Sequence, residues 1–315
     1  MKNICKLDLK GKHFINLEDF TPNELQLLIK EAQNLKSKVK SKEEINLMNN
    51  KIMVMYFAKP SLRTRLSFEI GMAKLGGNSY VIKQDEIILG KRESIEDTSR
   101  VISKYADAVT IRTFAHNDVE TFAKYSSIPV INALTDLSHP CQIMADILTI
   151  YETYKSYKGL KLNYVGDGNN VTNSLLTGCA SFGIDITVSS PKGFEPDINE
   201  INKAKEIAKK TGSKIEIIND PAQGANGADI IYTDVWTSMG QEAEAEKRKE
   251  IFKEYQINEN LMKHANKDAI ILHCLPAHKG EEIDFDTFEK YSKTVFNQAE
   301  NRMWAQMAIL LSVIK

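Results

Sequence analysis

An alternation sustained over most of the chain restricts its fold more than any other feature. Short apolar runs at residues 52–57, 108–112, 129–132, 160–166, 185–189, 214–218, 229–233, 269–273 and 294–296 read as strands. Between them lie amphipathic stretches, among them 66–75, 94–105, 141–157, 171–182 and 198–211, with helical spacing. Strand–helix–strand alternation of this kind needs parallel pairing, because each helix carries the chain back to the same end of the sheet. The predicted class is α/β, with two domains, each a mostly parallel sheet flanked by helices, linked by long helices. The stretch from about 140 to 157 ends near Lys158-Gly159, just before a new set of strands, and is the expected bridge. The boundaries that follow are 1–150, 151–297 and a terminal helix, 298–315. In parallel sheets, ligands bind beyond the carboxyl ends of strands, so polar clusters at those positions are the candidate sites.

Bulk properties exclude several classes. A net charge of −1 argues against nucleic acid as the main partner, so an anionic substrate must be met by local arginines. Cys5, Cys141, Cys179 and Cys274 are far apart and form no CxxC pair, which points to reduced thiols and against zinc ribbons or a disulfide framework. No apolar run approaches the ~20 residues that cross a bilayer, and the first residues lack an apolar signal core. The expectation is a soluble cytoplasmic protein without membrane partners.

Seven polar clusters carry the chemistry. Ser61-Leu62-Arg63-Thr64-Arg65 lies where the run 52–57 hands over to a helix, and exposed helix N–H groups there suit a phosphate. The same residues also fit a capped helix with two surface arginines. Arg112 ends the run 108–112 and suggests a second clamp on the same anion. His139-Pro140-Cys141-Gln142 opens the bridging helix, with Pro140 at a position where its missing N–H costs nothing. An imidazole N–H there can meet an oxyanion and the glutamine amide an NH2 group; a histidine cap beside a solvated glutamine fits equally.

Gly166-Asp167-Gly168-Asn169-Asn170-Val171 is a Rossmann-like turn whose last position is valine where the dinucleotide fingerprint has glycine or alanine. That disfavours nicotinamide binding; Asn169 and Asn170 offer amides to an amino-acid backbone instead. Asp234, in the segment Asp234-Val235-Trp236-Thr237-Ser238-Met239-Gly240, can hold an ammonium, and Ser238 and the backbone after it a carboxylate. The charge run at 242–250 reads as a solvated helix. His273-Cys274-Leu275-Pro276 allows a packing cysteine, a Cys–His pair, or a pocket lined by Cys274 and the Leu275 carbonyl. Neighbouring residues on an extended chain point oppositely, which argues against a metal there. Arg302, before the last helical run, could reach an anion or pair with a surface acid.

Together the clusters SLRTR, IRTF, HPCQ, GDGNN, DVWTSMG, HCLPAH and ENR resemble, in order and over nearly the whole chain, the aspartate/ornithine carbamoyltransferase family, and within it the ornithine-using branch. The resemblance implies an N-terminal carbamoyl-phosphate domain, a C-terminal amino-acid domain, a last helix packing back on the first, and a homotrimer. It implies transfer of the carbamoyl group of carbamoyl phosphate to L-ornithine, without metal or organic cofactor. Ser61, Leu62, Arg63, Thr64, Arg112, His139, Gln142, Cys274, Leu275 and Arg302 would then bind carbamoyl phosphate, with Arg112, His139 and Cys274 catalytic. Asn170, Asp234, Ser238 and Met239 would bind ornithine. Two residues depart from the family pattern. Leu62 replaces a threonine that contributes mainly its backbone N–H, and Ile88 replaces a glutamine or histidine that reaches a neighbouring subunit's substrate, a hydrogen bond isoleucine cannot make. Other readings are the same transfer to putrescine or an N-acylated ornithine, a nicotinamide-dependent dehydrogenase, and a non-catalytic protein of the same fold.

Overall fold

The computed structural model describes residues 9–238 and 242–315. Along the chain the elements are α1 (Pro22–Lys40), β1 (Ile52–Phe57), α2 (Leu62–Lys74), β2 (Asn78–Lys83), α3 (Ile95–Tyr105), β3 (Ala108–Arg112), α4 (His116–Tyr125), β4 (Val130–Leu134) and α5 (Pro140–Tyr154). Then follow β5 (Lys161–Val165), α6 (Asn170–Phe182), β6 (Asp185–Ser189), α7 (Ile198–Thr211), β7 (Ile215–Ile218), α8 (Pro221–Ala225), β8 (Ile230–Thr233), α9 (Ala245–Phe252), α10 (Glu259–Met262), β9 (Ile270–His273) and α11 (Phe285–Ile314). Contacts divide them into two compact units. One holds the residues up to Leu148 together with Glu300–Lys315; the other is Thr149–Ala299. The chain leaves the first unit within α5 and returns to it within α11.

In the first unit the sheet order is β2-β1-β3-β4, all parallel. From β1 the chain goes to β2 on one side, then to β3 on the other. The strand order therefore reverses between β1 and β3, and a crevice opens beyond their carboxyl ends. Phe57 and Arg112 are directly paired, so both strands end at the same level. The register between β3 and β4 shifts at Ile111/Arg112, a bulge that re-aims the last side chain of β3. The C-terminal half of α11 completes this unit. Gly71 of α2 lies so close to it that a Cβ there would stand 3.0 Å from Met307 Cγ. Lys36 Nζ on α1 donates to Asn301 at 2.7 Å, and Gly11 N–H donates to the Val313 carbonyl at 2.8 Å.

In the second unit the order is β7-β6-β5-β8-β9, again parallel, with the reversal between β5 and β8. Thr233 of β8 pairs with His273 of β9, which sets the residues after them, Asp234 and Cys274, side by side. One core cluster joins Val165, Ile231, Trp236, Phe252, Ile271, Phe288 and Val295.

Three expectations about elements change. Residues 294–296 are not a strand: Thr294-Val295-Phe296 lies inside α11, with Val295 fully buried and Phe296 exposed as a helical turn requires. β-Branched preference over three residues yields to a helical pattern on both sides. The last helix begins at Phe285, not near 298, so the candidate Arg302 sits mid-helix. β2 was not expected. It is an edge strand, Asn78 to Lys83, whose residues are exposed or half-buried and whose apolar run, Tyr80-Val81-Ile82, is only three residues long. Among the described residues no helix is long and apolar enough to cross a membrane.

Candidate active site

In the first unit, Ser61 caps α2: its backbone is extended and its Oγ accepts from the Thr64 N–H at 3.2 Å. Leu62, the first helical residue, points outward and is exposed, so it can offer only backbone to a ligand. Thr64 is fully buried, and its Oγ1 accepts from Arg302 Nη2 at 2.8 Å. That bond draws the C-terminal helix to the turn after β1. Arg112 (from the bulged end of β3) and His139 (just before α5) are both buried. The His139 imidazole titrates well below its ordinary 6.5. Burial is the main cause, reinforced by the positive charges of Arg302, Arg112 and Arg63. The ring is therefore neutral at physiological pH and offers one N–H and one lone pair. Three guanidiniums act on one buried neutral imidazole; this concentration of positive charge fits a tetrahedral dianion and an oxyanion beside it. Gln142, buried in the first turn of α5, donates from Nε2 to Asp146 at 2.8 Å. Cys141 packs away from this cluster, its thiol bonded to the Asn132 carbonyl and pushed up to about 12 by burial.

The second unit builds a different cluster. Asn169 caps α6, its Oδ1 accepting from the N–H groups of Val171 and Thr172 at 3.0 and 3.1 Å. Its Nδ2 donates to Asp234 Oδ2 at 2.8 Å. The turn needs Gly168: a Cβ there would lie 2.3 Å from the backbone of Glu195 and Pro196. Asp234 Oδ1 accepts from the Val235 N–H at 2.8 Å and from the Cys274 thiol at 2.9 Å. Asn170 and Ser238 are half-buried near these chain segments. Met239 falls outside the described residues, with Gly240 and Gln241.

Leu275 is held in the left-handed region at φ 62°, its N–H donating to His273 Nδ1 at 2.9 Å. With Nδ1 accepting, the proton of a neutral ring lies on Nε2, which meets the fully buried Glu282 carboxylate at 3.0 Å. Asp234, His273 and Cys274 bring potential ligand atoms within 4.8 Å of one another. Each of those atoms is engaged by the protein, the imidazole with Leu275 and Glu282 and the thiol with Asp234, so the set does not have the character of a metal centre.

Sequence reasoning missed Arg248, hidden in the charge run taken for a solvated helix. It is 4% exposed, lies over both the Phe194 and Phe252 rings, pairs with Asp167, and donates from Nε to the Trp236 carbonyl at 2.6 Å. Its only signal was the helical spacing of Arg248 and Phe252, which puts it on the buried face of α9. Asp167 is pushed up to about 6 by burial, with Asp234 adding to the rise and Arg248 opposing it. Asn169, which the resemblance did not put among the ornithine residues, makes a bond to Asp234. Glu282 was not a candidate either; only the structure brings it to His273.

Comparison with known proteins is consistent along the whole chain. The family profile described as the carbamoyl-P binding domain of aspartate/ornithine carbamoyltransferase matches residues 12–152, and the Asp/Orn binding domain profile matches residues 158–313. The chain is 46% identical to an ornithine carbamoyltransferase of Pyrococcus horikoshii, covering 96% of each. It is 46% identical to one of Anoxybacillus flavithermus over 100% of each. The solved structure of the ornithine carbamoyltransferase from Pyrococcus furiosus superposes with a TM-score of 0.95 at 45% identity, covering 98% of both chains.

Proposed function

The chain belongs to the aspartate/ornithine carbamoyltransferase family and transfers a carbamoyl group from carbamoyl phosphate to L-ornithine, and we propose that its residues divide that reaction as follows. In the first unit, the α2 N-terminus with Ser61, Leu62 N–H, Arg63 and Thr64 holds the phosphate. Arg112, His139 and Thr64 meet the carbonyl oxygen, Gln142 meets the carbamoyl nitrogen, and Arg302 holds Thr64 and the substrate together. In the second unit, Asp234 holds the ornithine ammonium, Asn170, Ser238 and Met239 hold its amino-acid end, and Cys274 lies beside the reacting amine.

The neutral side-chain amine attacks the carbonyl carbon. The oxygen gains negative charge in a tetrahedral intermediate and is stabilised by donors already in place, Arg112 and the neutral His139. Collapse breaks the carbon–oxygen bond to phosphate, the leaving group takes the proton that the attacking nitrogen sheds, and Arg63 and the helix N-terminus receive the remaining charge of the phosphate dianion. Thr64 can serve here as a donor: its oxygen accepts from Arg302, so its own proton remains to be given. The attacking amine must first lose a proton, and an alkylammonium titrates at about 10.4 by analogy with lysine. The Asp234 carboxylate, which accepts from the Cys274 thiol, would receive it, directly or through that thiol as the thiol passes its own proton on.

The observation that carries this reading is the gathering of Arg63, Arg112 and Arg302 on one buried neutral imidazole. On the same reading the enzyme is cytoplasmic and trimeric. Supporting a trimer, α2 presents an exposed apolar stripe of Leu62, Leu66 and Ile70, spaced four apart, and α3 presents Val101 and Tyr105. Ile88, also exposed, would then leave the cross-subunit hydrogen bond unmade. The test is citrulline formation from carbamoyl phosphate with ornithine, putrescine, N-acetylornithine and aspartate in parallel. Turnover with ornithine alone supports the division; turnover with another amine alone overturns the assignments in the second unit.

A further inference from the structure

Gln142 is 1% exposed and Asp146, one helical turn on, is 0% exposed. The Gln142 amide has a donor end and an acceptor end, whereas a carboxylate only accepts. The bond of 2.8 Å from Gln142 Nε2 to Asp146 Oδ1 therefore fixes which end is which. It turns Gln142 Oε1 the other way, where that buried oxygen has no hydrogen-bond partner among the described residues. The Gln142 backbone is also tied, its N–H donating to the His139 carbonyl at 3.1 Å, so the side chain is held from both ends.

We propose that Asp146 is a positioning residue that makes this enzyme choose carbamoyl over acyl phosphates, by locking the Gln142 amide with its oxygen facing the carbamoyl NH2. The inference rests on the reading that Gln142 meets the carbamoyl nitrogen. Acetyl phosphate has the same shape and charge with a methyl group in place of NH2. It cannot donate to Gln142 Oε1 and leaves a buried acceptor unpaired, the situation in which a site rejects an analogue strongly. With the amide reversed, its NH2 would face the substrate's NH2 and the preference would vanish.

The readout is the ratio of the acetyl phosphate Ki to the carbamoyl phosphate KM, with the Ki of inorganic phosphate reporting an intact anion site. In Asp146→Asn the new amide can donate to Gln142 Oε1 and release the lock. The ratio should fall about tenfold or more while the phosphate Ki stays within about twofold. Gln142→Leu should lower the ratio as far. The double variant Asp146→Asn with Gln142→Glu keeps one buried charge in the pair and again points an oxygen outward, so it should regain the preference; both ligands are dianions, and the added charge cancels in the ratio. A wild-type ratio in Asp146→Asn beside a collapsed one in Gln142→Leu overturns the role of Asp146 and leaves the Gln142 reading standing. Wild-type ratios in both single variants overturn both. If Asp146→Asn does not fold, the double variant decides alone: an unrecovered ratio there overturns the proposal.

Discussion

Arg248→Met keeps the length and apolar stem of the side chain and deletes the guanidinium. Two losses follow. The Trp236 carbonyl loses its donor, a pH-independent cost of about 1–3 kcal/mol for a buried acceptor. Asp167 loses its counter-charge, and this second loss depends on pH in a way the structure sets. In the wild type the Asp167 carboxyl is raised from 3.8 to about 6, so the native state binds the proton more tightly than the unfolded state. Stability is therefore lost as pH rises from 3.8 to about 6, by roughly 1.36 × 2.2, or ~3 kcal/mol, and levels off above that. Without Arg248 the native value rises further, and the loss continues. The gap between variant and wild type should thus widen above pH 6, by at most about 1.4 kcal/mol per pH unit, until the variant's own raised value is reached, on top of the constant term. Urea unfolding at pH 6, 7 and 8 measures it. Trp304→Phe removes the tryptophan of the other unit, so that Trp236 fluorescence reports the second unit alone. Adding Asp167→Asn should abolish the pH-dependent part. A gap that stays constant from pH 6 to 8, or one that persists unchanged in the double variant, would refute the electrostatic reasoning. Because Trp236 and Asp167 flank Asp234 and Asn169 in sequence, Arg248→Met should also raise the ornithine KM more than the carbamoyl phosphate KM.

Arg302→Met should raise the Ki of inorganic phosphate about 10- to 100-fold, through loss of a charge-assisted bond to the Thr64 turn, and change the ornithine KM little; inhibition kinetics check both. Asp234→Asn should raise the ornithine KM about tenfold or more and spare the carbamoyl phosphate KM, since it removes the charge opposite the ammonium; an unchanged ornithine KM counts against its role. kcat/KM for ornithine should rise about tenfold per unit from pH 7 to 8 as the amine deprotonates, with no inflection near 6.5, because His139 titrates well below that value. A pH–rate profile showing an ordinary histidine limb would contradict a neutral buried ring.

The strands nearest the site were legible because parallel strands covered on both faces read as largely apolar runs: 52–57 and 108–112 emerge as β1 and β3 with those bounds. The two turns that carry most of the polar residues were legible for the same reason, since each follows such a run. β2 was not, because an edge strand with no fully buried residue offers only the short run Tyr80-Val81-Ile82 between polar neighbours. The 294–296 reading failed because three residues of strand preference weigh little against a thirty-residue helix. Arg248 was hidden by its neighbours: Glu246, Lys247, Lys249 and Glu250 are the sequence of a solvated helix, and only packing against Phe194 and Phe252 turns one residue of the run inward. That Asn169 meets Asp234, and that Glu282 backs His273, depends on the level at which β5, β8 and β9 end, a matter of register that one-dimensional spacing does not carry.

The returning half of α11 has a consequence for how the chain is made. Residues 300–315 supply Arg302 to the Thr64 turn, Asn301 to Lys36 and the Val313 carbonyl to Gly11, all partners emerging early in synthesis. Domains generally fold as units in the order they leave the ribosome, but here the first unit lacks a wall until the second has been translated. A nascent chain of residues 1–148 should therefore wait, with the α2 surface around Gly71 uncovered, and the second unit should be the first to reach its final form. Fragments ending before Glu300 should need chaperones or aggregate, and supplying 300–315 by circular permutation ahead of residue 9 should let the first unit fold before the second.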